Sequence, residues 1–419
     1  MPLLWRYFAR ALLHDLGRTA GNFQEQQSEG RTPGSHGARR RVAVNHSFII
    51  AGGGTGGHVT PALALGEALR RVDQRVLFLG SKRGLETKLV PDAGFELVAL
   101  DSSQVMGRGV FGRIGGALAI LRAAFGARRA IKQHGAEAVI SVGGYAAMPA
   151  MLAAVVSRVP IALIEPNAIP GRVNRLSARF ARLVFPGFEI AATRLGAEDR
   201  SHLLGVPLRQ ALVEAFASGG ARRTLAPPFR LLVFGGSQGA RQINEAMMAA
   251  APGLASLDIE VFHAAGEADR ARVADAYEKA GVTAEVVVFE RNLPARYQWA
   301  DIAICRSGAL TIAELALAGM PSLLVPYPFA ADNHQAANAD ELEKIGAARR
   351  LEGLDDATRG GERIVTTLRD IFAAPGELSA MGNAARSVAY PNAAQDIVMK
   401  CMELVEAGPS HAAAGGAAS

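Results

Sequence analysis

The chain has 419 residues, 49% of them hydrophobic, with 46 glycines, few aromatic residues (6%) and a formal charge of +6. This length and apolar share suit two ordinary domains, each with its own core, and the glycine-rich, aromatic-poor balance suits α/β architecture with many tight turns. No apolar run reaches the roughly 18 to 20 residues of a membrane helix. Cys305 and Cys401 are too far apart for a disulfide framework and fit a reducing, cytoplasmic setting.

The charge is uneven along the chain. Residues 1–46 carry seven arginines against Asp15, Glu25 and Glu29, a local excess of four, so about +2 remains for the rest. That is weak ground for nucleic-acid binding, and nucleic acid is not an expected partner. "LLWRYFARALLHDLGR" places Trp5, Phe8, Leu12 and Leu16 on one helical face, as a surface-lying membrane helix or a loose extension would. It lacks the small-residue cleavage pattern of a secretory signal. Residues 19–42 are Gly-, Ser-, Gln- and Arg-rich and read as a disordered continuation. The segment 409–419 reads as a flexible end.

"SFIIAGGG" begins the folded part: a short apolar strand runs into glycines. "RVLFLGS", "AEAVISVGGYAAMPAMLAAVVS" and "VPIALIEPN" continue as strand, turn and helix. The alternation predicts a parallel, doubly wound sheet over 47–207. The stretch 208–228, with its Gly-Gly and Pro-Pro pairs, reads as a hinge. The same grammar then restarts with "FRLLVFGGSQGARQINEAM" and runs on through "LDIEVFHAAG", "AEVVVFERN" and "DIAICRSGALTIAELALAG". The expectation is two tandem Rossmann-like domains, 47–207 and 229–390, facing one cleft. A C-terminal helix over 391–408 is expected to return to the first domain.

"AGGGTGGHVTPALALGEAL" carries Gly52, Gly54 and Gly57 at dinucleotide-fingerprint spacing, with His58 directly after. That fingerprint wants an acid about 20 residues on for the ribose diol. The second strand ends instead at Ser81, Lys82 and Arg83, which suit a 2′-phosphate. A single-cofactor oxidoreductase still leaves the second glycine loop and "RSGALTIAE" unexplained. In that later stretch a buried strand ends at Arg306, Ser307 and Gly308 turn, and a helix starts near Ala309. Its free N–H groups suit a pyrophosphate. Glu314, about one turn further, suits a ribose diol or serves as an ordinary helix-start acid.

Seven motifs in order over about 47–408 resemble the MurG-type N-acetylglucosaminyltransferases of peptidoglycan synthesis. They are "GGGTGGHVTPALALGEAL", "SVGGYAAMPAMLAA", "EPNAIPGRVNRLSARFA", "GVPLR", "VFGGSQGARQIN", "CRSGALTIAELALAGMPSLLVPYP" and "DNHQAANA". The resemblance implies the glycosyltransferase B architecture. It also implies inverting transfer of GlcNAc from UDP-GlcNAc to undecaprenyl-pyrophosphoryl-MurNAc-pentapeptide at the cytoplasmic face of the membrane. Carried over motif by motif, it implies donor contacts from Thr55, Gly56 and Gly57 in the first loop, Asn167, Arg209 and Ser237. The helix start Ala309, Leu310, Thr311, Ile312, Ala313 and Glu314 would hold diphosphate and ribose, and His334 and Gln335 the sugar. Uracil would sit near Phe289 and Glu290, on backbone groups. The chain departs from the family at Ile164-Glu165-Pro166-Asn167, where His-Glu-Gln-Asn is usual, and at Glu290, where an apolar residue is usual. His58 is the first candidate general base, with loop capping as its alternative role, and Glu165 is the second candidate. No cofactor is implied, and the absence of any Asp-x-Asp leaves no expected metal site.

Phe111, Ile114, Leu118, Leu121 and Phe125 share one helix face, rimmed by Arg108, Arg113, Arg122, Arg128, Arg129 and Lys132. Such a stripe is either core or a membrane contact. With a membrane-bound acceptor, Val110, Phe111 and Ile114 are the expected contacts with an anionic membrane surface.

Overall fold

The computed structural model describes residues 45–101, 110–217, 225–236 and 240–408, with side chains other than those of 110–118 and 375. The N-terminal extension, the tail 409–419 and Ser237 lie outside the described residues, as do the side chains of Val110, Phe111 and Ile114.

Two six-stranded parallel sheets form the molecule. The first contains β1 (Ser47–Gly52), β2 (Arg75–Ser81), β3 (Glu96–Leu100), β4 (Ala138–Gly143), β5 (Ile161–Glu165) and β6 (Leu183–Pro186), in the order β3-β2-β1-β4-β5-β6. The second contains β7 (Phe229–Phe234), β8 (Ile259–Ala264), β9 (Thr283–Val287), β10 (Ile302–Cys305), β11 (Ser322–Leu324) and β12 (Ala348–Arg350), in the order β12-β11-β10-β7-β8-β9. Counted within its own sheet, each follows the order 3-2-1-4-5-6. Strands buried on both faces must be apolar throughout, and Phe48, Ile49, Ile50, Val139 and Ile140 are all fully buried.

The helices of the first half are α1 (Gly56–Arg71), α2 (Glu86–Asp92), α3 (Val110–His134), α4 (Met148–Ser157), α5 (Arg172–Ser177), α6 (Glu189–Leu195) and α7 (Gln210–Ala217). Those of the second are α8 (Arg241–Leu254), α9 (Arg270–Ala280), α10 (Leu293–Trp299), α11 (Ala309–Ala318), α12 (His334–Lys344), α13 (Ala357–Ala373), α14 (Pro375–Ser387) and α15 (Ala393–Glu406). In both sheets strand order reverses beside the first strand, between β1 and β4 and between β7 and β10. Ligands of open α/β sheets bind outside the strand ends at such points. The loops there are 52–57 with 143–145 in one sheet and, among the described residues, 235–236 with 306–308 in the other.

The chain crosses between the sheets twice. Gly205, at φ +79°, leads the first crossing, and a Cβ there would come within 2.5 Å of the Tyr390 side chain of the second. Only glycine combines that left-handed backbone with such contact. Part of the glycine- and proline-marked hinge stretch is helical. There α7 docks on the second domain, with Phe216 6.2 Å from Tyr297 between ring centroids and the Gln298 side-chain amide donating to the Ala215 carbonyl at 2.8 Å. The second crossing ends in α15, whose Ile397, Val398 and Cys401 join the core formed by Phe48, Leu65 and Phe78. Full burial of each such aliphatic side chain contributes roughly 1.5–3 kcal/mol, which ties the C-terminus to the first domain.

Candidate active site

The first glycine loop turns sharply after β1. Gly54 has φ +93°, and Thr55 starts α1. The Thr55 hydroxyl does not cap the helix and lies 3.1 Å from Nδ1 of His58. With the ring proton on Nδ1 and donated to Thr55, Nε2 is the acceptor. The "SVGGY" loop presses on the same place. A Cβ at Gly144, whose φ is +79°, would lie 2.6 Å from the Gly53 carbonyl oxygen and 3.7 Å from the His58 ring. Desolvation lowers the His58 pKa to about 4, helped by the charge of His334 in the facing domain and opposed by Glu86. At neutral pH the imidazole is uncharged and able to accept a proton.

Glu165 ends β5 and is 1% exposed. Its Oε1 accepts from the Asn167 backbone N–H at 2.9 Å and from the Asn167 amide at 3.4 Å. Its Oε2 accepts from the Gly171 N–H at 2.8 Å and the Asn174 amide at 2.9 Å. Four donors fill the four lone-pair positions of a carboxylate. Burial raises its pKa against these donors. Glu165 therefore organises the 166–171 loop, and the role of second candidate base does not fit its surroundings.

That loop meets the other domain. Asn338 of α12 is fully buried: its amide donates to the Asn167 side-chain oxygen and to the Ser307 carbonyl, both at 3.1 Å, and its Oδ1 accepts from the Ala168 N–H at 2.8 Å. Arg172 and Arg175 of α5 reach Asp332 at 3.3 and 2.6 Å. Asp332 and Asn333, both at positive φ, turn the chain into His334. Sequence reasoning missed Asn338, whose only signal was its place in "DNHQAANA".

In the second domain β10 delivers Arg306, Ser307 and Gly308 to the sheet edge. Gly308 is the N-cap of α11, no side chain caps the helix, and no acid stands in its first turn. Its first N–H groups and the positive end of its dipole are available to an anion. The Arg306 guanidinium is tied back to the Gln242 side chain and to the Val325 and Pro326 carbonyls. Glu314 lies five residues beyond Ala309, roughly 7 Å along the axis. Its Oε2 accepts from the buried Tyr297 hydroxyl at 3.1 Å, and desolvation pushes its pKa up to about 7, which that bond only partly offsets. Gln335 accepts from the Tyr327 N–H through Oε1 at 2.9 Å, which leaves its amide N–H groups for a ligand. Its backbone carbonyl takes the Ser307 hydroxyl at 2.8 Å, so the α11 and α12 starts are joined.

Two other expected contacts are engaged elsewhere. Arg209 pairs with Glu67 of α1 at 2.7 Å. Glu290 accepts from the Asn292 N–H at 2.6 Å and from Arg296 at 2.9 Å, which shapes its own loop. Phe289 beside it is 53% exposed. Among the described residues, no three His, Cys, Asp or Glu side chains are grouped as metal ligands.

Residues 48–186 match the model of the glycosyltransferase family 28 N-terminal domain, and residues 230–397 that of the family 28 C-terminal domain. The curated UDP-N-acetylglucosamine–N-acetylmuramyl-(pentapeptide) pyrophosphoryl-undecaprenol N-acetylglucosamine transferase of Geobacter metallireducens is 38% identical over 359 residues, 85% of this chain and 98% of its own length. The enzyme of that name from Anaeromyxobacter dehalogenans is 40% identical over 362 residues, 85% of this chain and 93% of its own. The chain belongs to the MurG family of glycosyltransferases. The crystal structure of Acinetobacter baumannii MurG superposes with a TM-score of 0.70 at 30% identity, covering 85% of this chain and 99% of that one. The two-domain glycosyltransferase B architecture expected from the motifs is the architecture found. His58 on the first domain lies within electrostatic reach of His334 at the start of α12, which is joined to the start of α11.

Proposed function

We propose that the chain transfers N-acetylglucosamine from UDP-N-acetylglucosamine to the C4 hydroxyl of undecaprenyl-pyrophosphoryl-MurNAc-pentapeptide, with inversion, releasing UDP. One observation carries this reading: an uncharged histidine on the first domain faces, through His334, an uncapped helix start and a half-satisfied carboxylate on the second. The diphosphate lies at the α11 N-terminus over Ala309, Leu310 and Thr311. The ribose diol donates to Glu314, Ile312 and Ala313 form the wall between, and uracil rests by Phe289. Gln335 and Asn167 hold the sugar hydroxyls. His58 accepts the proton of the C4 hydroxyl as that oxygen bonds to the anomeric carbon. The bond from that carbon to the β-phosphate oxygen breaks, and its electron pair leaves with UDP. The α11 dipole stabilises the departing charge.

The acceptor is lipid-linked, and α3 offers a surface for its membrane. Phe125 is 55% exposed, between exposed Arg122 and Arg129 on successive turns. No helix among the described residues is long and apolar enough to cross a membrane. We place α3 against anionic headgroups, with the enzyme peripheral to the cytoplasmic face.

The test is incubation with UDP-N-acetylglucosamine and a short-chain analogue of the lipid acceptor. Acceptor-dependent UDP release with formation of the disaccharide is expected. Epimerisation of the donor without acceptor, or donor binding without turnover, overturns the reading.

A further inference from the structure

We infer that Glu86 is a positioning residue for the transfer: its buried carboxylate fixes the first glycine loop and lends His58 the negative charge under which it takes up the acceptor's proton. The inference rests on the reading of His58 as general base.

Glu86 belongs to α2, outside every motif of the sequence, and is 1% exposed. Three stretches of backbone close around it. Its Oε2 accepts from the Gly54 N–H at 2.8 Å, and its Oε1 from the Ser81 N–H at 2.8 Å and hydroxyl at 2.7 Å. A Cβ at Gly53, Gly80 or Gly84 would come within 2.3, 2.5 or 1.9 Å of its side chain. Those three positions leave room for this carboxylate and nothing larger. Burial would raise its pKa, but the Gly54 and Ser81 donors outweigh that and hold it below the usual carboxylate range. It is ionised at neutral pH, and among the described residues no lysine or arginine pairs with it.

This position has two consequences. Gly54 is bonded to Glu86, Thr55 follows it, and Thr55 orients the His58 ring. A displacement of the carboxylate is therefore passed to His58 through two residues of backbone. The second consequence is electrostatic. Among the described residues, the charged groups that bear on His58 are Glu86 from α2 and His334 from the start of α12, and they act in opposite directions. A neutral side chain would serve to hold the loop. An unpaired buried anion does more, because it favours the imidazolium that forms when His58 accepts a proton.

The experiment measures kcat against pH at saturating donor, together with NMR titration of the His58 imidazole, in the full chain and in Glu86→Gln, Glu86→Asp and His58→Ala. Glu86→Gln is expected to lower kcat about tenfold and to move the acid limb and the imidazole titration about 0.5 to 1 pH unit lower, with donor KM within about threefold. Glu86→Asp keeps the charge but not the reach, so kcat falls while the acid limb stays in place. A merely structural role would disturb stability and KM and leave the titration unmoved. Wild-type kcat and titration in Glu86→Gln, beside an inactive His58→Ala, overturn this inference alone. Full activity in His58→Ala overturns the base reading, and this inference with it. If Glu86→Gln does not fold, Glu86→Asp decides: an unchanged kcat overturns the inference.

Discussion

In the first domain the carboxylate nearest the glycine loop, Glu86, is enclosed by donors; in the second the carboxylate beyond the anion-binding turn, Glu314, has one. The sheets that carry them have the same strand order, but Glu314 follows β10 at the switch point of its sheet, whereas Glu86 follows β2, one strand away from the switch point of its own, and reaches back to the glycine loop. The surroundings move their proton affinities in opposite directions, below the usual range for Glu86 and up to about 7 for Glu314. A carboxylate that is already satisfied holds a shape, whereas one left short of donors is completed by a ligand. On the function proposed above, the pair divides the work: the first domain builds a base, and the second builds a receptor for the leaving group. Glu165 belongs with Glu86 in this respect, although it sits in the donor-facing motif.

The sharpest way to break that division is at His58. As general base its removal acts on the chemical step, so His58→Ala should lower kcat by about 10² to 10⁴ with donor KM within a fewfold of wild type. Steady-state kinetics at saturating acceptor reads both constants. A collapse of donor affinity with kcat preserved would make His58 part of the receptor, and the two domains would no longer be separate in function.

Glu314 tests the other side. Loss of a charge-assisted hydrogen bond costs about 1.5–3 kcal/mol, so Glu314→Ala should raise donor KM at least about tenfold and leave kcat close to wild type. The pH dependence has a definite sign. In the free protein Glu314 is protonated below about 7, and diol hydroxyls donating to it favour the charged form. Donor binding therefore releases a proton, and KM should fall as pH rises through about 7 and then level off. Glu314→Gln should flatten that limb. A KM that is flat across this range in the wild type returns Glu314 to the ordinary role of an acid near a helix start.

What the sequence made legible was local. The strand-glycine-helix grammar gave the central strands of both sheets but not the edge strands β3, β6 and β12, and the uncapped start at Ala309 followed from a strand ending in Arg-Ser-Gly. The site's supports were not legible because they are pairings between distant segments. Glu86 reaches Gly54 across 32 residues, and Asn338 reaches Asn167 across 171. The absence of an acid at Ser81 to Arg83 was read correctly from the residues, yet the acid stands five positions further on and turns back beneath the loop instead of toward a ribose. Arg209 is a further case: its motif points to the donor, and its pairing with Glu67 on α1 joins segments far apart in the chain. The helix α7 was hidden because glycine and proline pairs at 219–220 and 227–228 dominate a stretch whose first part has ordinary helix formers.

The smallest expected effect concerns a difference between the domains that the chemistry does not require. Among the described residues only the first has a long helix with an exposed apolar side chain framed by arginines, and the second presents exposed aromatics, Phe289, Tyr327 and Phe329, on loops. On α3, Ala123, Ala127 and Ile131 face the core while Phe125, Arg122 and Arg129 face out, so the described part of the helix divides between packing and surface. An exposed phenylalanine gains free energy in the headgroup region, and each nearby arginine adds about 1 kcal/mol against anionic lipid. Phe125→Asp should weaken binding to vesicles containing anionic phospholipid about fivefold in a flotation assay, with donor KM unchanged. Arg122→Ala with Arg129→Ala should do the same, and its deficit should shrink at high salt, where those charges are screened in the wild type as well. Phe111→Asp with Ile114→Asp extends the test to the first turn of the same helix. Wild-type vesicle binding in all of these folded variants would move the membrane contact off α3 and make its exposed face an ordinary solvated one.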